Sequence, residues 1–317
     1  MSEDRTVVGL ESWLPAFLRR PWWTEPVPAE RLAALRIGTA LVLLVDILVT
    51  SWPYAALLFS ADGYAAPEIS RHQRGAAFAP WSVLSGSASP AAWTAIFITW
   101  TGAAVLLLVG VYPRVAAAVC WFLTVNVANV NPYVLNSGDQ ARAILLFYLI
   151  LTPCGAVWSL WPRRVSPGPI FVHPWAVRLL FIQLAVAYFL SGATKLISRQ
   201  WLQGDTLYYA MASIDWTHVS YASLPLPSWL MRGLTWFTLL WEIGFPVLAV
   251  WPATRTATLW IGVLFHLGTS AVLRIGLFGP YMICFYLPLV PWEKTMQNGE
   301  CRMQKEDAGP VKREPEV

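Results

Sequence analysis

The sequence predicts an all-α, polytopic integral membrane protein, a helical bundle with about eight transmembrane spans. Of its 317 residues, 56% are hydrophobic and 13% are charged, whereas about a quarter of the residues in a typical soluble domain are charged. The charged residues gather at the chain ends and in a few loops, which leaves long apolar runs between them. No alternating pattern indicates a membrane barrel, and the net charge of +4 is too scattered to predict nucleic-acid binding.

The spans follow one another with polar or proline-rich joints between them. Residues 1–30 lack the apolar core of a signal peptide, so we expect them to form a cytoplasmic N-terminal segment. The transmembrane domain covers residues 31–292, and the charged tail 293–317 is expected to be disordered and cytoplasmic. The predicted spans are residues 32–52, 91–112, 115–130, 141–160, 175–196, 228–251, 256–273 and 277–291.

The placement of lysine and arginine predicts the orientation in the cell membrane. An even number of spans with both termini inside puts most of the 22 basic residues on the cytoplasmic side. The four cysteines form no CxxC pair, and those within apolar spans are interpreted as buried small hydrophobic residues. Because zinc-ligand spacings are also missing, no metal site is predicted. The cysteines are Cys120, Cys154, Cys284 and Cys301.

The end of the span 175–196 holds the most informative residues. Tyr188, Gly192 and Lys195 are spaced so that they share one helix face, and Trp201 and Gly204 follow in a polar turn. Gly192 allows another backbone or a flat ligand to come close. Lys195 has two interpretations: a side chain that extends to the lipid headgroups, or an amine that burial keeps neutral and able to act as a base.

Several other ionisable residues fall within or next to predicted spans. A charge at membrane depth costs on the order of 3 kcal/mol on insertion scales, so each one needs a partner or a function. Five are expected toward the outer leaflet, and a carboxylate and an imidazole lie nearer mid-depth. Opposite charges can neutralise one another there, or the group can line a cavity open to the outside. The residues are Asp46, Asp139, Arg142, Lys195, Arg274, Glu242 and His266.

Three stretches resemble a known family. Residues 188–204 are similar to the segment "Tyr-Phe-small-Gly-x-x-Lys-Leu…Trp-x-x-Gly" of vitamin K-dependent gamma-carboxylases and their bacterial relatives, the HTTM (horizontally transferred transmembrane) family. Residues 136–160 resemble the polar loop and the span end of that family, with Asp139 as a possible helix cap. Residues 265–278 resemble its Phe-His segment, which is followed by Ile-Gly and a phenylalanine.

The resemblance implies an HTTM-like bundle and a chemistry. It makes Lys195 the catalytic base and His266 its catalytic partner, acting on a reduced quinone of the vitamin K or menaquinol type. O2 and CO2 would be co-reactants, and a peptide, protein or lipid at the outer face would be the substrate. The cofactor-binding residues would be Tyr188, Gly192, Trp201, Glu242, Asp139, Arg142 and Arg274.

Two departures and two alternatives stand beside this hypothesis. The family's loop histidine aligns with Gly138 or Asp139, and a short tail stands where the carboxylase continues into a large lumenal domain, so the chain looks like a free-standing bacterial relative. His266 can also be a satisfied core residue, or its imidazole can hydrogen-bond to a bound ring or to Glu242. Glu242 can also form a structural hydrogen bond between two helices. The alternatives to an enzyme are an accessory protein for maturation or export of a sporulation-delaying-type peptide toxin, and a transporter, which should show paired broken helices.

Overall fold

The computed structural model describes residues 23–59, 82–86, 89–131, 134–161, 169–290 and 292. Most of the predicted N-terminal segment, the whole predicted tail and Cys301 lie outside these residues. The described chain is almost entirely helical, with one short antiparallel pair of strands in which Val27 lies opposite Val172. The strands are β1 (Val27–Pro28) and β2 (Phe171–Val172).

The first helical segment runs without a break in the chain, but its helix type changes along the way. Helix α1 (Glu30–Val45) passes through a π-helical turn (Asp46–Ser51) and a 3₁₀ turn (Trp52–Tyr54) into α2 (Ala55–Phe59). A further 3₁₀ turn follows at Val83–Gly86. The remaining helices are α3 (Pro90–Val109), α4 (Pro113–Val130), α5 (Ser137–Leu151), α6 (Trp175–Lys195), α7 (Arg199–Gln203), α8 (Thr206–Ala212), α9 (Ser228–Val250), α10 (Pro252–Val272) and α11 (Phe278–Tyr286).

Five helices in the described ranges are long and apolar enough to cross a membrane: Glu30–Phe59, Pro90–Val109, Pro113–Val130, Trp175–Lys195 and Ser228–Val250. They support a multi-pass membrane protein, while the count of about eight stays a prediction.

Three expected spans differ from the sequence-based bounds. Helix α5 begins four residues earlier than expected and ends at Leu151, because Thr152 is extended before Pro153. Helix α10 begins at Pro252, ahead of the expected start. The last span is a nine-residue helix, α11, followed by a 3₁₀ turn at Leu287–Leu289 that contains a proline.

Local sequence explains the helix ends that flank the site. Asn136 is the N-cap of α5 and accepts a hydrogen bond from Gly138 N at 2.7 Å, while Asp139 accepts one from Asn136 N at 2.8 Å. This reciprocal pair is a capping box. Asp139 is therefore the third residue of the helix rather than its cap, which corrects the expectation from the sequence.

The helices form one packed arrangement in which α6 and α9 make the most extensive contact, followed by α4 with α5 and α3 with α4. The short helix α11 touches α1, α5, α6 and α10 and so lies at the centre of the described helices. Bulky aromatic side chains from α3, Trp93, Phe97 and Trp100, fill the core beside α1. Leucine and valine side chains cover much of the outer surface, as a lipid-facing surface requires.

Arg36 is a buried cation whose two terminal nitrogens bind backbone carbonyl groups, while its Nε has no partner among the described residues. Its side chain is fully buried, and its two terminal nitrogens donate to Leu107 O at 3.3 Å and Trp158 O at 2.5 Å. The carbonyls at a helix C-terminus carry partial negative charge, which suits the guanidinium. Gly110 ends α3 with φ 78°, and an added Cβ would lie 2.0 Å from Arg36 Nη1. Arg36 thereby ties α1 to the end of α3 and to the loop around Trp158.

The packing of α10 on α11 requires a glycine at one position. A Cβ on Gly262 would lie 2.2 Å from the Tyr286 hydroxyl oxygen and 2.7 Å from two carbons of its ring. A Cβ on Gly268, in the same helix, would meet nothing within 4 Å. A comparison of the same substitution at the two glycines therefore distinguishes the effect of packing from the effect of helix propensity.

We expect Gly262→Ala to displace the Tyr286 ring and to destabilise the fold by about 1–3 kcal/mol, the usual cost of overpacking. The control, Gly268→Ala, should be neutral or stabilise the helix by roughly 0.5–1 kcal/mol, because alanine loses less backbone entropy. Thermal unfolding of both variants in detergent measures the difference. Equal melting temperatures for the two variants would contradict this account of the α10–α11 contact.

Candidate functional site

Lys195 is held by three polar atoms in the contact between α6 and α9. Its Nζ lies 2.6 Å from Glu242 Oε1, 2.5 Å from Glu242 Oε2 and 2.7 Å from Ser191 Oγ. The side chains of Lys195 and Glu242 are 19% and 8% exposed, so the pair is largely removed from solvent. Glu242 lies roughly 21 Å along α9 from Ser228. The amine therefore turns into the protein and does not extend toward headgroups.

The turn after α6 covers the lysine with an aromatic ring. Lys195 Nζ lies 4.9 Å from the centre of the Trp201 ring, within the range of a cation–π interaction. Trp201 belongs to α7, which ends at Gly204 with φ 80°. Arg232 Nε donates to Asp205 Oδ1 at 3.2 Å, and Trp236 Nε1 donates to Leu202 O at 3.2 Å. These bonds fix α7 against the first half of α9.

Gly192 makes the close approach of α6 and α9 possible. A Cβ at this position would lie 2.7 Å from Ile243 Cγ1, 3.0 Å from Ile243 N and 3.1 Å from Glu242 Cβ. Two of these atoms belong to the backbone and the base of a side chain, which cannot move aside easily. The glycine thus brings α9 close enough for Glu242 to reach Lys195.

One turn before Gly192, Tyr188 joins three helices through hydrogen bonds. Its hydroxyl lies 2.5 Å from His266 Nε2 on α10 and 2.7 Å from the Tyr286 hydroxyl on α11. The ring of Tyr188 packs on Phe245 with a centroid distance of 4.4 Å and meets Trp241 edge to face. His266 is 1% exposed. We refer to Tyr188, His266 and Tyr286 as the Tyr–His–Tyr cluster.

The hydrogen bonds of this cluster limit which of its atoms can carry a proton. A neutral imidazole carries a proton on one nitrogen, and a hydroxyl donates one proton. When Tyr286 donates to Tyr188 and Tyr188 donates to His266 Nε2, the histidine proton is on Nδ1. His266 Nδ1 is buried and has no hydrogen-bond partner among the described residues. In this arrangement the cluster presents one N–H donor that the described residues leave unsatisfied.

A second polar cluster, formed by Asp46, Asp139, Arg142 and Tyr281, lies between α1, α5 and α11. Arg142 donates to Asp46 Oδ2 at 2.6 Å and to Asp139 Oδ1 at 2.5 Å, and the Tyr281 hydroxyl donates to Asp46 Oδ2 at 2.8 Å. The guanidinium carbon also lies 5.3 Å from the centre of the Trp100 ring. We call this group the Arg142 cluster. The expectation that opposite charges neutralise one another is confirmed here.

The structure divides the sequence-predicted site residues into groups. Six of them gather around the C-terminal half of α6: Tyr188, Gly192, Lys195, Trp201, Glu242 and His266. Asp139 and Arg142 belong to the separate Arg142 cluster, on the far side of α11. Arg274 is exposed beyond the end of α10, where its backbone N–H donates to Trp216 O at 3.0 Å. His266 bonds to Tyr188 and not to Glu242, the partner that the sequence suggested.

Sequence reasoning missed the two tyrosines of α11 and Ser191. Tyr281 contributes to the Arg142 cluster and Tyr286 to the Tyr–His–Tyr cluster, so one nine-residue helix supports both. The available signal was two hydroxyl-bearing side chains within a short apolar helix, each of which needs a partner when buried. Ser191 lies four residues before Lys195, the spacing at which helical side chains meet.

Comparison with known proteins decides the family. The family model for the HTTM domain matches residues 24–292, which is most of the chain. The chain belongs to the HTTM family. The match covers α1 to α11 and both polar clusters, so the HTTM domain and the helical membrane bundle coincide, and the resemblance predicted from the sequence is confirmed.

The chain is also similar to one curated protein over a shorter stretch. The uncharacterized protein YitO of Bacillus subtilis (strain 168) is 32% identical over 113 residues, which are 33% of this chain and 35% of YitO. The chain thus matches about a third of the length of this relative. No solved structure matches the chain.

The Arg142 cluster yields a stability prediction. We expect Arg142→Met to cost about 3–5 kcal/mol, because it leaves two largely buried carboxylates without their cation. The matched control is Arg232→Met, which removes the more exposed ion pair with Asp205 and should cost at most about 1 kcal/mol. Thermal unfolding in detergent at neutral pH provides the measurement. If both variants melt at the same temperature as the unaltered protein, Arg142 does not hold α1 to α5.

Proposed function

We propose that this HTTM protein is an enzyme in which Lys195 acts as a base to start a quinol-dependent, carboxylase-like modification of a peptide or lipid. The observation that carries the proposal is the position of the Lys195 amine. It is enclosed between α6 and α9 with Glu242, Ser191 and Trp201 around it, deep along α9. An amine with little water around it is suited to take a proton from a weakly acidic hydroxyl.

Glu242 gives the amine a means of becoming a base. A lysine bonded to a carboxylate rests as an ammonium, which cannot accept a proton. Transfer of one proton from Nζ to a Glu242 oxygen, over 2.5–2.6 Å, produces a neutral amine and a neutral acid. The same carboxyl group can return the proton later. Ser191 Oγ keeps a bond to Nζ throughout and fixes its direction.

We expect a quinol ring to bind beside the aromatic residues near Lys195. The rings of Tyr188, Trp241 and Phe245 form an apolar cluster in which they pack against one another at angles of 37° to 85°. The unsatisfied Nδ1–H of His266 would donate to a ring oxygen. A bound quinol would supply the two electrons that let O2 generate a base strong enough to remove a carbon-bound proton. The exclusion of water by these rings protects such a base from premature protonation. His266 and Tyr188 would orient the ring, with Tyr286 fixing the proton on Tyr188.

The first experiment asks whether the protein carries and uses a quinol. Protein extracted in mild detergent should contain a co-purified isoprenoid quinone, detected by mass spectrometry. With added menaquinol and O2, the purified protein should consume both, and labelled CO2 should enter a peptide or lipid fraction of the source membranes. No bound quinone together with no O2-dependent consumption of menaquinol would overturn the cofactor assignment.

Variants of Lys195 test its role. Lys195→Arg keeps a positive charge beside Glu242 but cannot lose its proton, so turnover should fall about 100-fold or more. Its melting temperature should stay close to that of the unaltered protein. Glu242→Gln should also lose turnover, because the amide cannot take the ammonium proton. Undiminished turnover by a folded Lys195→Arg protein would rule out the base.

One observation favours the accessory function in peptide maturation or export as a second candidate. Lys195, Glu242 and Ser191 satisfy one another's hydrogen bonds. A role in joining two membrane helices, without any part in a reaction, is sufficient to explain such a group. The charge-swapped double variant Lys195→Glu/Glu242→Lys keeps an ion pair and moves the amine to α9. An accessory protein should tolerate this exchange and support peptide export in cells, whereas the proposed enzyme should lose its activity.

A further inference from the structure

An apolar groove runs along the surface of α6 away from the Lys195 site. Its volume is about 310 Å³, and it is partly open at the surface. Trp23 contributes to its lining, and the other lining residues come from α6 and α9. The lining includes Phe181, Ile182, Val186, Phe189, Pro246 and Val250. Because its lining is apolar throughout, the groove suits a hydrocarbon chain and not a polar substrate.

The groove spans roughly 12 Å of α6, from Phe181 to Phe189, and together with Arg178 beyond its end it matches the length of one leaflet's hydrocarbon chain. Arg178, Phe181 and Phe189 lie on one face of α6, and the distance from Arg178 to Phe189 along the helix is roughly 16 Å. Half of a typical hydrocarbon core of about 30 Å is close to this value. A lipid whose acyl chain ends near Phe189 would therefore place its headgroup near Arg178.

Positive charge gathers at that end of the groove. Arg178 is 9% exposed and lies one turn from Phe181, while Arg255 follows Val250 by five residues. Arg31 and Arg255 both act electrostatically on Arg178, and Glu25 is the carboxylate that acts on it among the described residues. These three arginines, on α1, α6 and α10, outnumber Glu25 and Glu30, the carboxylate next to Arg31 at the start of α1. A phosphate group suits the guanidinium geometry better than any neutral headgroup does.

We propose that this groove and the arginines Arg31, Arg178 and Arg255 form a binding site for one anionic phospholipid of the surrounding bilayer. One acyl chain would lie in the groove between α6 and α9, and the phosphate would contact the arginines. Trp23, which is partly exposed, is placed where indole rings prefer to lie, at the boundary between hydrocarbon and headgroups. The site is separate from the Lys195 site and does not depend on the proposed enzymatic function.

Native mass spectrometry with defined lipids tests the proposal. Delipidated protein in detergent is mixed with phosphatidylglycerol or phosphatidylcholine of identical acyl chains. The anionic lipid should give at least a fivefold larger fraction of singly bound protein. The double variant Arg178→Gln/Arg255→Gln should lose that preference. Ala185 also lines the groove, so Ala185→Phe, which fills it, should reduce binding of both lipids. Arg114→Gln, which removes an arginine from the start of α4, is the matched charge control and should keep the preference.

Several results would overturn the site. They are equal binding of the two lipids by the unaltered protein, a preference that survives Arg178→Gln/Arg255→Gln, and phosphatidylglycerol binding that is unaffected by Ala185→Phe. If the double variant does not fold, salt titration of the unaltered protein decides the question. The preference for phosphatidylglycerol should then fall as ionic strength rises, because the phosphate contact is electrostatic. A preference that is independent of salt would contradict the arginine contact.

Discussion

An ion pair enclosed between two long apolar helices is the constraint on which the rest of the site depends. Lys195 and Glu242 are largely buried, and each would be costly in this environment without the other. Their meeting requires that α6 and α9 touch at Gly192, that Ser191 lie one turn away, and that α7 turn back so that Trp201 covers the amine. The small residue, the hydroxyl and the aromatic ring at the α6–α9 contact are therefore explained by the need to satisfy these two charges.

The short helix α11 connects the two groups of buried polar residues in the bundle. Tyr286 reaches the Tyr–His–Tyr cluster beside α6, and Tyr281 reaches Asp46 in the Arg142 cluster. Two groups of buried polar residues therefore share one support, and Gly262 allows Tyr286 to lie flat against α10. Partly satisfied polar networks are costly at low dielectric, and fully bonded ones define a single arrangement of helices. Among the described residues, His266 Nδ1, Trp241 Nε1 and Arg142 Nε are buried atoms in or beside these two clusters that have no hydrogen-bond partner.

The two sides of α6 differ in their chemistry. The face toward α9 and α10 holds hydroxyl, imidazole, amine and carboxylate groups that can move a proton, as the proposed base chemistry requires. The face toward the groove is apolar along its length, with Arg178 at its end, which suits a lipid chain and its phosphate. A family match by itself supports the helical membrane domain and leaves the reaction to be argued from these residues.

The sequence alone determined the class of protein, the HTTM family and most helix positions, because long apolar runs and the local motifs around Lys195 and His266 are properties of contiguous residues. The helix ends at Thr152 and Asn136 depend on local turn and capping geometry, which the sequence predicts only approximately. The tertiary structure decided which charges meet: Glu242 lies 47 residues from Lys195, and Asp46 lies 96 residues from Arg142. Hydropathy gives the depth of a charge but not the rotation of its helix, so only packing could select Tyr188 over Glu242 as the partner of His266.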